Sequence, residues 1–341
     1  IKKRAEVNRG RLYLEYVRAV KDTEPKFFAF ENVPGLMSAN RGDAFTTIVS
    51  DFESHGYKIL FSDIANATKV GVPQARRRLL ILGARGIAAE KLPGIKDRAR
   101  DILTGKGSLV SRYPICAMEA LEGKAVPELA DRYKKVMEQY DGVEKKIDTD
   151  DLCNINIHKW KTHRDRLTLD PVKDYLIVNK IKQTDEDDLE EVWDEHRKIL
   201  KQLGYDKGVH EKDFPDGSNG IPKEKVSVTE RMNRIPPGMN YLITENTEWS
   251  VKGSMSNIYR RTDPLRPAFT VMAYGGGGTW SYHYDRDRGM LTNRERARLQ
   301  TFPDKYMFEG DRSQVRAQIG EAVPVQLGRK IAEIATLVLE Q

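Results

Sequence analysis

The chain has 341 residues, 39% of them hydrophobic, a proportion typical of globular proteins with a sizeable buried core. No run of about 18 apolar residues and no basic-then-apolar leader occurs, so neither a membrane span nor a secretory signal is predicted. The net charge of +6 favours polyanionic partners without identifying one. The two cysteines, Cys116 and Cys153, lack metal-ligand spacing, so we predict no metal site and a reducing compartment.

The first ninety residues alternate between helical and strand patterns. Apolar residues recur at helical spacing in "RLYLEYVRAVKD" and "DAFTTIVSDFESHGY", and Gly56 should end the second helix. Strands are predicted at Phe27 to Phe30, at "YKILFSDI" and at "RLLILGA", and the last is an apolar run typical of a strand covered on both faces. The alternation predicts an α/β protein with a doubly wound, largely parallel sheet.

From about residue 86 to residue 259 this regularity disappears. Charged helical stretches dominate, and an acidic block from Asp185 to Glu195 stands in a chain that is basic overall. A solvated helix face is the favoured interpretation of such a block, and mimicry or repulsion of nucleic acid is the alternative.

The segment "KFFAFENVPGL" ends a buried strand with a carboxylate, Glu31, beside an amide, Asn32. Ligands of open parallel sheets bind beyond the carboxyl ends of the strands, so this is a candidate catalytic position. The competing interpretation is that Glu31 caps the following turn or pairs with an arginine.

The segment "VGVPQARRRLLILGA" places Gln74 and three arginines before an apolar strand. Because alternate residues of an extended chain share a face, Arg76 and Arg78 should point one way and Arg77 the other. Two guanidiniums at the end of a strand suit a phosphate, a carboxylate or a base carbonyl. A surface basic patch, or an ion pair with Glu31, explains the pattern equally well.

The segment "MAYGGGGTW" contains four consecutive glycines, from Gly275 to Gly278. Glycine runs have a large conformational entropy, so they form either a flexible loop or a close approach of the backbone to a ligand. Aromatic residues and arginines surround this run, a mixture suited to nucleic-acid contact. The candidate DNA-binding residues here are Tyr274, Gly275, Gly276, Gly277 and Arg261.

Two further segments have helical patterns. "NIHKWKTHRDRLTL" offers Lys161 and Arg164 for groove and phosphate contacts, although an ordinary amphipathic surface is an equally good interpretation. "LTNRERARLQTFPDKYMF" carries Thr292 and Glu295 at capping-box spacing, which favours a structural docking helix that ends before Pro303.

Together, these segments resemble the C5-cytosine DNA methyltransferase family. "FENVPGL" is similar to its Glu-Asn-Val motif, "GVPQARRRLLILGA" to its Gln-x-Arg-x-Arg motif, and "RGMLTNRERARLQTFPDKYMF" followed by "IGEAVPVQLG" to its two C-terminal motifs, in the family's order. The resemblance implies an S-adenosylmethionine-dependent methyltransferase-type (Rossmann-like), mostly parallel sheet, here incomplete, with a second, smaller target-recognition domain.

The resemblance also implies roles for single residues. A cytosine is flipped out of duplex DNA, a cysteine thiolate attacks C6, and C5 takes the methyl group from S-adenosylmethionine. Glu31 would hold the N3 and amine edge, and Arg78 the O2 carbonyl oxygen. Asn32 would brace the loop, and Arg76 would lie against the backbone or the catalytic loop. The residues expected near the cofactor are Glu321, Ala322 and Val323. Gln74 is expected to contact DNA, like the candidate DNA-binding residues named above.

Three departures from the family pattern are visible. The family's Gly-rich cofactor loop, acidic ribose-binding residue and Pro-Cys loop precede its Glu-Asn-Val motif, and none occurs here. Neither Cys116 nor Cys153 stands directly after a proline, and both are predicted to be packing residues. Glu321 stands where the family usually has asparagine. The start at Ile1 leads us to expect an N-terminal portion, either truncated or on a separate polypeptide with the Pro-Cys loop.

The resemblance implies a three-part organisation. Residues 1–100 would be the C-terminal part of the catalytic domain, residues 101–290 the target-recognition domain with a charged helical insertion, and residues 291–341 a hinge helix and return to the catalytic domain. The expected partner is double-stranded DNA, in the cytoplasm at the nucleoid and within a restriction-modification system. The alternatives are a DNA-recognition subunit and an inert homologue.

Overall fold

The computed structural model describes residues 12–143, 154–182, 188–251, 258–275 and 278–340. The chain forms two compact units. Unit 1 comprises Ile1–Val70, Arg76–Ser108 and Gln326–Gln341, and unit 2 comprises Gly71–Ala75 and Leu109–Val325. The three-part organisation by role stays a prediction, and in the two-unit division residues 291–325 fall in unit 2 and Gln326–Gln341 in unit 1.

Unit 1 is built on three strands and flanking helices. In chain order these are α1 (Leu12–Thr23), β1 (Phe27–Asn32), a 3-10 segment (Pro34–Gly42), α2 (Asp43–Ser54), β2 (Lys58–Asn66), a 3-10 turn (Ala67–Val70), β3 (Arg77–Ala84) and α3 (Leu92–Thr104). Gly56 follows α2 with φ of +83°, a conformation that glycine adopts readily, and this explains why the helix stops there as predicted.

The strand order is β1-β3-β2, and β3 is antiparallel to both neighbours. The largely parallel pairing expected from the sequence is therefore wrong for these three strands. The connection from β2 to β3 is short, whereas a parallel neighbour needs a crossover of a dozen or more residues. The strands β1 and β2 run in the same direction, since each is antiparallel to β3, which lies between them.

The core of unit 1 is apolar and aromatic. Phe28, Phe30 and Phe52 pack with Tyr16 and Tyr57, and the rings of Phe28 and Phe52 have centroids 4.2 Å apart. The central residues of β3, Leu79 to Leu82, are fully buried, as expected for a strand covered on both faces.

Unit 2 is mainly helical. Its helices are α4 (Leu109–Arg112), α5 (Ala117–Glu122), α6 (Ala130–Glu138), α7 (Asn154–Arg164), α8 (Pro171–Asn179), α9 (Leu189–Leu203), α10 (Val226–Met232), α11 (Asn293–Leu299) and α12 (Arg312–Glu321). The final helix, α13 (Val325–Leu339), lies almost entirely in unit 1. Among the described helices, none combines the length and the apolar character that crossing a bilayer requires.

The acidic block from Asp185 to Glu195 falls partly on α9. Asp188 caps this helix by accepting hydrogen bonds from the backbone N–H groups of Glu190 and Glu191. Arg197 pairs with Glu190 and Asp194 on the exposed face, each with an N to O distance of 2.7 Å or less. The contacts of the described part favour the solvated-face interpretation.

Candidate active site

The carboxyl end of β1 meets the amino end of β3. In the antiparallel register, Glu31 lies opposite Leu80 and Asn32 lies opposite Leu79, so the residues just before Leu79 emerge beside the end of β1. Strand pairing therefore brings the Glu-Asn and Arg-x-Arg segments together, although they are more than forty positions apart in the sequence.

Glu31 and Arg78 form an ion pair in which Oε1 lies 2.8 Å from Nε. The Glu31 side chain is 29% exposed and that of Arg78 is 15% exposed, so solvent reaches the pair. Arg78 also donates a hydrogen bond from Nη1 to the backbone oxygen of Arg77, at 2.8 Å. A carboxylate and an oriented guanidinium thus stand together at a partly open position.

Arg76 adds a second positive charge. Its side chain is buried, and burial together with the charge of Arg78 lowers its pKa to about 10, against the opposing effect of Glu31. Arg76 therefore remains protonated at neutral pH. The side chain of Asn32 is fixed locally, because Oδ1 accepts a hydrogen bond from the backbone N–H of Val33 at 2.8 Å. Arg77 is exposed, as expected from the alternation of the strand.

Gln74 and Arg261 are interior residues of unit 2. The Gln74 amide donates to the backbone oxygen of Leu299 and accepts from the backbone N–H of Val271, at 3.1 and 2.8 Å. Arg261 donates to three backbone oxygens, those of Met232, Ile235 and His283. Both side chains are fully buried and hydrogen-bonded within unit 2, so neither offers exposed surface for the predicted DNA contact.

The other predicted DNA-binding residues differ in exposure. Tyr274 is 67% exposed, and Gly275 and Lys161 are also exposed. Arg164 is partly buried and pairs with Asp141 at 3.1 Å. Gly276 and Gly277 lie outside the described residues. Tyr274, Gly275 and Lys161 are therefore the predicted contacts with accessible surface.

The residues expected near the cofactor lie at the end of α12. Glu321 is exposed, while Ala322 and Val323 are partly buried. A hydrogen bond to Glu321, with the negative charge of that carboxylate, raises the pKa of the Tyr274 hydroxyl. Gly320 packs so closely on the backbone of Met272 and Ala273 that a side chain would not fit there. The candidate cofactor residues and the aromatic segment are thus neighbours within unit 2.

Gln300 links several of these segments, and we did not single it out from the sequence. Its Nε2 donates to the backbone oxygens of Ile319 and Ala322, at 2.7 and 3.3 Å, and its Oε1 accepts from Gln74 at 3.0 Å. A glutamine that ends a helix has no distinctive local pattern, so only the long-range contacts show this role.

The capping box predicted for α11 is confirmed. The Thr292 hydroxyl accepts from the N–H of Glu295, and the Glu295 carboxylate accepts from the N–H of Thr292. Two arginines of this helix are buried ion-pair partners: Arg294 contacts Asp216 and Arg298 contacts Asp304, both at 2.6 Å. The density of arginine in "NRERAR" is the only sequence signal for this network.

Cys116 is fully buried at the start of α5, where burial and the neighbouring Glu119 raise the pKa of its thiol well above the ordinary value. A protonated thiol in the interior is a poor nucleophile, which agrees with a packing role. Cys153 lies outside the described residues. Within the described ranges, no three His, Cys, Asp or Glu side chains are grouped so as to hold a metal ion.

Comparison with known proteins gives consistent results. The family described as C-5 cytosine-specific DNA methylase matches residues 1–335. DNA (cytosine-5-)-methyltransferase M.ApeKI of Aeropyrum pernix is 44% identical over 98% of this chain and 76% of its own length. Type II methyltransferases M.NgoFVII of Neisseria gonorrhoeae and M.BbvI of Brevibacillus brevis are 29% and 31% identical over 98% and 96% of this chain, which spans 64% and 63% of their lengths.

A solved structure described as a DNA modification methyltransferase of an E. coli prophage matches with a TM-score of 0.53 at 18% identity, over 98% of this chain and 75% of the other. This likeness confirms the α/β methyltransferase-type fold expected from the motifs. The chain belongs to the C-5 cytosine-specific DNA methylase family, the enzyme class of the DNA (cytosine-5-)-methyltransferases.

Proposed function

We propose that this chain carries the cytosine-binding part of an enzyme that transfers a methyl group from S-adenosylmethionine to C5 of a flipped cytosine in a specific duplex DNA site. The observation that carries the proposal is the Glu31–Arg78 pair at the joined ends of β1 and β3. The names of the relatives M.NgoFVII and M.BbvI support a place in a type II restriction-modification system.

The chemistry of the pair matches one edge of cytosine. The exocyclic amine donates hydrogen bonds and O2 accepts them, so a carboxylate suits the first group and a guanidinium suits the second. When a nucleophile adds to C6, negative charge develops on the ring, and N3 gains proton affinity. Glu31 would hold the N3 and amine side in that state, and Arg78 would stabilise the charge at O2.

The neighbouring residues fit supporting roles. Asn32 would brace the turn that follows β1, since its side chain is hydrogen-bonded to the backbone N–H of Val33. The buried guanidinium of Arg76 would raise the positive potential around Arg78 and favour an anionic base. Neither role requires contact with the reacting carbon.

The end of α12 fits the cofactor. S-adenosylmethionine supplies the methyl group when bound, and its positive sulfonium and ribose hydroxyls suit an exposed carboxylate. Glu321 offers such a carboxylate, and the partly buried Ala322 and Val323 offer small apolar contacts beside it. We propose that these three residues hold part of the cofactor.

Double-stranded DNA is the proposed partner, in the cytoplasm at the nucleoid. The net charge of +6 supports binding to a polyanion. Tyr274, Gly275 and Lys161 are the accessible residues that we propose as DNA contacts. Tyr274 combines an apolar ring with a polar group, which suits contact with a base or sugar.

A second candidate function is supported by the state of Cys116. Because this thiol is buried and its pKa is raised, we propose that it does not attack C6. The chain would then bind DNA and the target base, while a polypeptide segment with a Pro-Cys loop supplies the thiolate. An inert DNA-binding homologue is the limiting case of this alternative.

Transfer of labelled methyl groups from S-adenosylmethionine to duplex DNA tests the proposal. The chain should be assayed alone and with a Pro-Cys-bearing polypeptide segment, and the product should be digested to nucleosides. Label at cytosine C5 only with the added segment supports the divided site. Label from the chain alone would reassign the thiol to Cys116 or Cys153, and DNA binding without label under either condition would favour the inert homologue.

A further inference from the structure

Trp280, two residues after the glycine run, has two arginine side chains stacked on its indole ring. The guanidinium carbon of Arg316, on α12, lies 3.9 Å from the ring centroid, and that of Arg296, on α11, lies 4.6 Å from it. Arg312 stands one turn before Arg316 on α12. Arg296, Arg312 and Arg316 are called the arginine cluster below.

The cluster differs from the other arginines of α11. Arg294 and Arg298 each have a carboxylate partner at 2.6 Å. Within the described ranges, none of the three cluster residues forms an ion pair. The nearby carboxylates are already engaged: Asp311 caps α12 through the N–H groups of Ser313 and Gln314, and Glu295 accepts from Arg288. Three positive charges therefore stand together without a direct ion-pair partner in the described part of the chain, and Asp311 and Glu295 act on Arg316 and Arg296 only at longer range.

Electrostatics agrees with this geometry. Burial, and then the charge of Arg316, lowers the pKa of Arg296 to about 9. Burial, and then the charge of Arg312, lowers the pKa of Arg316. The Nε atom of Arg316 is buried and has no hydrogen-bond acceptor among the described residues. Clustered guanidinium groups with an unused N–H donor are a suitable site for an anion, which would accept that hydrogen bond and offset the repulsion between the charges.

We propose that Arg312 and Arg316, the accessible members of the arginine cluster, bind a phosphate of the DNA backbone, with Arg316 stacked on Trp280 and the buried Arg296 adding positive charge behind them. Guanidinium groups match phosphate through paired N–H donors, and stacking on an indole fixes their plane. A backbone phosphate is favoured over a small anion because the cluster adjoins the segment with the exposed Tyr274. Arg296 reaches this segment through a 3.5 Å contact between Nη1 and the backbone oxygen of Met272.

The site would position DNA and would not read its sequence, since phosphate contacts carry no base information. It rests on the proposed function only in requiring that the chain bind duplex DNA. The phosphate would lie next to the proposed contact of Tyr274, so the two together would set the register of the duplex on unit 2.

The salt dependence of DNA affinity tests this site. Each phosphate contact contributes about −0.9 to the slope of log K against log salt concentration. We expect Arg316→Gln to make this slope less steep by about 0.9 and to weaken binding equally for duplexes of unrelated sequence. Lys198→Gln removes the same charge from an exposed ion pair with Glu195 on α9, and it should leave the slope unchanged.

An unchanged slope in a folded Arg316→Gln protein that still binds DNA would overturn the proposal. If that variant does not fold, the exposed Arg312 replaces it: Arg312→Gln should also make the slope less steep, and an unchanged slope has the same meaning. If the variant instead loses affinity for S-adenosylmethionine while the salt dependence of DNA binding is unchanged, the bound anion is the carboxylate of the cofactor. That result would also overturn the proposal. Absence of DNA binding in the wild-type chain would count against the proposed function instead.

Discussion

Two acid–cation pairs, Glu31–Arg78 in unit 1 and Glu119–His196 in unit 2, have the same length but very different surroundings. In unit 1, Glu31 and Arg78 are 2.8 Å apart, and their side chains are 29% and 15% exposed. In unit 2, Glu119 and His196 are also 2.8 Å apart, and both are fully buried. The distance between the charges therefore says little about function, whereas access to solvent separates a pair that can meet a ligand from one that cannot.

The remaining hydrogen bonds of the buried pair complete the contrast. Glu119 also accepts from the backbone N–H groups of Cys116 and Val126, at 2.9 and 3.1 Å. The second ring nitrogen of His196 lies 2.9 Å from the backbone oxygen of Tyr113. The Tyr113 oxygen only accepts, so Nε2 donates to it; with Glu119 ionised, Nδ1 donates as well, and the raised pKa of His196 agrees with an imidazolium. The buried pair is a closed structural unit.

The largest expected effect is on the buried pair. Glu119→Gln leaves an uncompensated buried imidazolium, and breaking such a pair costs about 3–5 kcal/mol of unfolding free energy. Urea denaturation would measure the loss. Glu128→Gln, which removes a 40% exposed partner of Arg197, is the matched control and should cost less than about 1 kcal/mol. Equal losses of unfolding free energy in the two variants would contradict the distinction between buried and exposed ion pairs.

The partly exposed Glu31–Arg78 pair should show the opposite pattern, with a large effect on methyl transfer and a small effect on stability. Glu31→Gln should lower the rate of methyl transfer by about 10²- to 10³-fold in the complete enzyme, since it removes the carboxylate that holds the amine and the protonated N3 in the transition state. Its unfolding free energy should change by less than about 1 kcal/mol, because the pair is partly exposed. Glu53→Gln, at an exposed position on α2, is the control. A rate within threefold of wild type would refute the assigned role.

Gln74 provides a test between structure and DNA contact. Gln74→Ala removes the buried hydrogen bonds that this amide makes with the Val271 N–H and the Leu299 oxygen, which should cost about 1–3 kcal/mol of stability. The salt dependence of DNA affinity should stay as in wild type, because the side chain is interior. A stable variant with a changed salt dependence would restore the sequence-based prediction of a DNA contact.

The smallest effect concerns pH. Burial alone would lower the pKa of His196, but Glu119 and the Tyr113 carbonyl outweigh it and raise the pKa above the unfolded value of about 6.5. The stabilisation is then complete below about pH 6.5 and is lost as the pH rises through the folded pKa, by at most about 1.4 kcal/mol per pH unit. The stability difference between wild type and His196→Gln should narrow over that range. A constant difference would contradict the imidazolium assignment.

Local patterns in the sequence predict the elements that carry the candidate site. The Gly56 stop, the apolar run of β3 and the capping box at Thr292 each depend on neighbouring residues, and each is present. The interior positions of Arg261 and Gln74 depend instead on partners 22 to 29 and 197 to 226 positions away. Composition indicated a basic residue suited to DNA, but it cannot show which carbonyl groups surround that residue in the fold.

The most direct test of the central claim combines Glu31→Gln with a target cytosine that lacks its exocyclic amine. Methyl transfer should be measured for all four combinations of enzyme and base, in a duplex whose target cytosine has first been located by the labelled-methyl assay. If Glu31 contacts the amine, the two changes should be strongly non-additive, and Glu31→Gln should cost about 10- to 100-fold less on the altered base than on cytosine. Fully additive losses would show that Glu31 does not meet this edge of the base.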